Sequence, residues 1–142
     1  MQRFAAVALL MGLAAASIGC GGDHERAATD ADAVELSVFQ VWDESVGLYV
    51  EGARSFIAVE TLAGDELLEL ELTPTARGAE QAVRLDPGDY RLLSWQRPSA
   101  GGGDVYDPPT DRCSAPFTVA AGTPVVARIE VRAAQGCTIA FE

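Results

Sequence analysis

From Val34 onward the hydrophobic residues of this chain recur at every second position, and that period constrains the fold more than any other feature. In LLELELT (67–73) it places Leu68, Leu70 and Leu72 on one face and Glu69, Glu71 and Thr73 on the other. VVARIEVR (125–132) turns Ala127, Ile129 and Val131 inward and Arg128, Glu130 and Arg132 outward. A helix would scatter both sets around its circumference. VELSV (34–38) alternates in the same way, and GLYVE, SFIAVETL, EQAVRL, YRLLSWQ, PFTVA and CTIAFE are further candidate strands. Turn residues separate them at Ala63-Gly64-Asp65, Thr73-Pro74-Thr75, Asp86-Pro87-Gly88-Asp89, Ala121-Gly122 and Gln135-Gly136. About 7–9 short strands at this spacing predict an all-β, Ig-like, two-sheet antiparallel sandwich over residues 34–142.

The sharpest local feature is LDPGDYRLLSW (85–95). Pro87 fixes φ, Gly88 accepts the positive φ of a type II turn, and Tyr90 opens the next strand. This segment resembles the LxPGxY signature of carboxypeptidase-regulatory-like and prealbumin-like (transthyretin-like, Cna-B-like) sandwich modules. Residues 80–132 carry the resemblance, with AVRL, the PGDY corner, a loop, FTVAAG and VVARIEVR in the expected order. The resemblance implies a prealbumin-like sandwich in which Pro87, Gly88 and Tyr90 form an inter-sheet corner and the tyrosine hydroxyl bonds nearby backbone. It implies no single activity. The lysine–asparagine isopeptide bond of some Cna-B-like modules cannot carry over, because the chain has neither Lys nor Asn.

At the other end, Met1-Gln2-Arg3 and the apolar run FAAVALLMGLAAA (4–16) form a signal segment, with a signal helix expected within residues 1–19. The run is too short to span a bilayer, which takes roughly 20 apolar residues. Ser17-Ile18-Gly19-Cys20 resembles a bacterial lipobox, with Ser17 where that family usually has Leu. The resemblance implies lipidation of Cys20 and an export route ending in a lipid anchor on the extracytoplasmic face of a bacterial cell membrane. Cleavage by an ordinary signal peptidase at Ala14–Ala16 is the alternative, and it leaves an odd number of cysteines. Lipidation of Cys20 leaves Cys113 and Cys137 to form a structural disulfide. Residues 20–33 then form the lipidated cysteine and a flexible acidic tether that holds the only histidine, His24.

Ten Arg against 21 Asp and Glu give a formal net charge of −11, which repels phosphate backbones and argues against a nucleic-acid partner. Nucleophile–base catalysis needs a histidine beside an activated Ser or Cys, and zinc sites need His/Cys clusters; the folded region offers neither pattern. No cofactor is therefore expected. The long interruption RPSAGGGDVYDPPTDRC (97–113) lies between two strands, and loops of this length are often functional. Asp104, Asp107 and Asp111 in it are candidate oxygen ligands for calcium, although their spacing matches no EF-hand. Tyr106, together with Trp95 and with Trp42 and Tyr49, is a candidate aromatic contact for sugar or peptide.

The leading expectation is a non-enzymatic, membrane-anchored binding or structural module, with an envelope protein or cell-wall component as partner. The alternatives are a calcium- or cell-wall-glycan-binding module and, third, a small carboxylate-based hydrolase.

Overall fold

The structure, a computed structural model, describes residues 32–42, 53–76, 78–98, 106–132 and 136–142. The signal segment, Cys20, most of the tether, the GLYVE strand with Tyr49, and Asp104 lie outside the described residues. Nine strands follow in order: β1 (Val34–Trp42), β2 (Arg54–Thr61), β3 (Glu66–Glu71), β4 (Thr73–Thr75), β5 (Gly78–Leu85), β6 (Gly88–Arg97), β7 (Thr110–Val119), β8 (Val125–Arg132) and β9 (Gly136–Phe141). They form a five-stranded sheet, β4-β5-β1-β8-β9, and a four-stranded sheet, β3-β2-β6-β7, stacked as a sandwich. Among the described residues there is no helix.

Alternation does what the period predicts. Val34, Leu36 and Val38 of β1, Ile57 and Val59 of β2, and Ala127, Ile129 and Val131 of β8 fill the space between the sheets. Burying each of the larger side chains contributes about 1.5–3 kcal/mol relative to leaving it in water. At one end the interior turns polar. Gln40, Ser55, Ser94 and Gln96 are buried there, and Gln40 Oε1 accepts a hydrogen bond from Trp42 Nε1 at 3.1 Å.

Three features differ from expectation. The sandwich is antiparallel with one exception, since β1 and β8 at the centre of the larger sheet run parallel, with Leu36 opposite Val125 and Trp42 opposite Val131. Strand alternation is blind to direction, and the intervening strands in the other sheet supply the crossover that a parallel pair requires. Thr73-Pro74-Thr75, expected as a turn, is the edge strand β4, a place where proline's missing N–H costs no ladder bond. LLELELT is consequently two strands: Leu72, buried between them, donates its backbone N–H to Ser55 O at 2.8 Å as the chain passes from one sheet to the other.

The third concerns the corner. The chain crosses between sheets at Asp86-Pro87, and Tyr90 Oη donates to Asp86 O at 2.9 Å. The described glycines with positive φ are Gly64, Gly122 and Gly136, so Gly88 does not supply the expected left-handed turn position. It supplies clearance instead. A Cβ at Gly88 would lie 3.1 Å from Tyr90 Oη and 3.2 Å from Cζ, so only glycine lets the phenol lie against the corner without displacement.

The two sides of the sandwich are closed differently. The β3–Leu72–β4 switch ties one pair of edges through the backbone. On the other side Cys113 of β7 is bonded to Cys137 of β9, with Cα atoms 5.5 Å apart, so the disulfide joins the edge strands of opposite sheets.

Candidate functional site: the outer face of the four-stranded sheet

Antiparallel pairing of β2 with β6 sets side chains directly opposite each other on one face. Along the outside of this sheet the pairs read Arg54 with Arg97, Phe56 with Trp95, Ala58 with Leu93, and Glu60 with Arg91. In each case the partners stand on the phase of the strand opposite to the core residues Ser55, Ile57 and Val59 and Leu92, Ser94 and Gln96. Phe56 and Trp95 stack with ring centroids 5.9 Å apart and planes 11° from parallel. Both stay half-buried on the outside, where they contribute nothing to the inter-sheet core.

Two arginines directly opposite each other repel, and the structure compensates in two ways. Tyr106 lies beneath both guanidinium groups, 5.0 Å from Arg54 Cζ and 5.7 Å from Arg97 Cζ to the ring centroid. Glu71, from the neighbouring β3, pairs with Arg54 at 3.2 Å. Arg97 has no ion pair among the described residues, and its Nε is buried without an acceptor. On the far side of Trp95 a groove of about 240 Å³ is floored by Ala58 and Leu93 and rimmed by Glu60, Glu66, Glu69 and Arg112.

The structure brings together Trp95 and Tyr106 of the residues singled out in the sequence, on one face and through the arginines between them. Trp42 is apart from them, packed against the core from the other sheet. Asp107 is exposed and donates its backbone N–H to Pro98 O at 3.0 Å; Asp111 lies within β7 at φ 48°, its carboxylate accepting from Thr110 Oγ1 at 3.3 Å. Among the described residues no group of three or more His, Cys, Asp or Glu side chains converges as a metal site. Cys113 and Cys137 are oxidised, and Cys137 Sγ touches Asp111 O at 2.8 Å, a contact without a proton to share.

Phe56, Arg54 and Arg97 were not singled out in the sequence. The signal was present in Phe56 and Trp95, aromatic residues on the outward phase of their strands, but their pairing follows from a cross-strand register that neither strand encodes alone.

Tyr90 is the described group whose titration is clearly displaced. Burial, and secondarily the Asp86 carboxylate, push its hydroxyl above the ordinary 10.0, in keeping with a phenol that keeps its proton and donates it in a hydrogen bond to the Asp86 carbonyl oxygen.

Comparison with known proteins leaves this face to be read on its own chemistry, since no family model matches the chain and no match is found among curated proteins.

Proposed function

We propose that this protein is a non-enzymatic, lipid-anchored extracytoplasmic module that binds a component of the bacterial envelope through the outer face of its four-stranded sheet. The observation that carries this reading is the Phe56–Trp95 pair beside the Arg54–Tyr106–Arg97 stack. A sheet face directed only at water has no use for two stacked aromatic rings with directional N–H donors next to them, whereas a binding surface combines apolar area with a few oriented polar groups. The lipobox-like Ser17-Ile18-Gly19-Cys20 supports the anchor, and the tether after it would hold the face clear of the bilayer. The Asp86–Tyr90 corner supports kinship with carboxypeptidase-regulatory-like and prealbumin-like modules.

Two assays on the full chain test the proposal. Labelling with radioactive palmitate in a bacterial host should depend on Cys20 and disappear in Cys20→Ala. Co-sedimentation with insoluble cell-wall material should be saturable and fall at least fivefold in Trp95→Ala while Arg128→Gln, on the other sheet, matches the parent. Label retained in Cys20→Ala would refute the anchor, and equal sedimentation of Trp95→Ala would refute the face.

A further inference from the structure

The arginine pair narrows the ligand class, on the premise that this face is the binding surface. We propose that it takes a saccharide bearing an oxyanion, with Arg97 and Arg54 holding the anionic group while the ring rests against Phe56 and Trp95.

Both guanidinium groups lie over the Tyr106 ring, and a guanidinium donates hydrogen bonds in its plane, from its edges. The ring supplies Arg97 with no oxygen acceptor, and among the described residues its guanidinium has no ion pair. A carboxylate or phosphate matches that edge geometry with paired, charge-assisted bonds. The two cations stand directly opposite each other across β2 and β6, an arrangement unfavourable in itself that a shared anion between them relieves. Glu71 neutralises part of the charge of Arg54, so Arg97, without an ion pair among the described residues, is the principal anion donor.

The aromatic pair is the next pair on the same face, two residues along each strand, or about 7 Å away. A single sugar residue with its carboxylate or phosphate substituent spans that step. The chain as a whole carries a net charge of −11, so a free anion gains little from the long-range field. Recognition depends instead on the local pair of arginines and on the ring contact made with it.

The test is titration of the full chain in neutral detergent, followed by tryptophan fluorescence and calorimetry. Three probes are compared: tri-galacturonic acid for a carboxylate, glucose 6-phosphate for a phosphate, and galactotriose as a neutral sugar. One of the anionic probes should bind saturably and at least tenfold more tightly than galactotriose, and which one does so identifies the anion. Its affinity should drop at least tenfold in Arg97→Gln and in Trp95→Ala, weaken with added salt, and stay unchanged in Arg128→Gln. Cooperative melting of each variant confirms that it is folded. Equal binding of neutral and anionic sugars, with loss in Trp95→Ala, would overturn the anion assignment and leave the face standing as a binding surface. Binding unaffected by Arg97→Gln, or no binding of either anionic probe, would also overturn the assignment.

Discussion

On the outside of the five-stranded sheet the central strand exposes Phe39 and Val41, 40% and 39% accessible, between Glu80 on β5 and Arg128 on β8. Their surroundings are small: Gly78 is opposite Val41, and Ala82 is opposite Ser37. Gly78 is obligatory there, because a Cβ would run into the Gln40 carbonyl of β1. Among the described residues Phe39 has no stacked aromatic partner, and Arg128 is turned to the chain's own Glu142 at 3.3 Å. The outside of the four-stranded sheet holds its central aromatic side chains half-buried and organises them, with stacked rings followed by two arginines over one tyrosine ring. Exposure of a large apolar residue is common on protein surfaces and says little by itself. Stacking next to oriented donors is what distinguishes the second face.

The strongest perturbation of this comparison separates the sheets. Replacing Cys113 and Cys137 together by Ala removes the link between β7 and β9, and should cost about 3 kcal/mol for a closed loop of this length. Urea unfolding measures the cost. Because the aromatic and arginine pairs belong to β2 and β6, affinity for the anionic sugar below the melting transition should stay within twofold of the parent.

The next perturbation contrasts the faces directly. Trp95→Ala should weaken ligand binding at least tenfold, about 1.4 kcal/mol, whereas Phe39→Ala should leave it unchanged. Calorimetric titration of the two variants side by side checks this.

Tyr90→Phe acts at the corner that carries the chain from one sheet to the other. Loss of the bond to Asp86 O should cost about 1 kcal/mol. The same residue gives a pH dependence of known sign. Its hydroxyl titrates above 10.0 in the folded protein, so the unfolded chain releases the proton first. The stabilisation is complete below about pH 10 and is lost as pH rises through the folded value. Thermal melts from pH 8 to 11 should therefore fall less steeply for Tyr90→Phe than for the parent. The smallest effect belongs to the Arg54–Glu71 pair, which is exposed on both sides; Glu71→Gln should change stability by less than about 0.5 kcal/mol.

Period-two alternation was enough to read the two-sheet class, the inward set of β8 and most strands, because each strand buries one face and its residues report that face locally. LDPGDY made the corner legible for a similar reason, since the bond runs only from Tyr90 to Asp86. Pairing was not legible. The parallel contact of β1 with β8 joins residues far apart in sequence, and nothing in VELSVFQVW specifies a neighbour's direction. LLELELT keeps one alternation while changing sheets at Leu72, so the switch leaves no break in the pattern. The candidate site was half legible on the same grounds. Trp95 and Tyr106 were noticeable as aromatics, but Arg54, Phe56 and Arg97 acquire meaning only from the register that sets them beside one another.

The most direct measurement is hydroxyl-radical footprinting of the full chain in isolated bacterial envelopes, compared with the same protein purified in detergent. The account predicts that Phe56, Trp95 and Tyr106 become protected in the envelope while Phe39 is oxidised to the same extent in both. Protection of Phe39 with Phe56, Trp95 and Tyr106 unchanged would contradict it, and would move the binding surface to the five-stranded sheet.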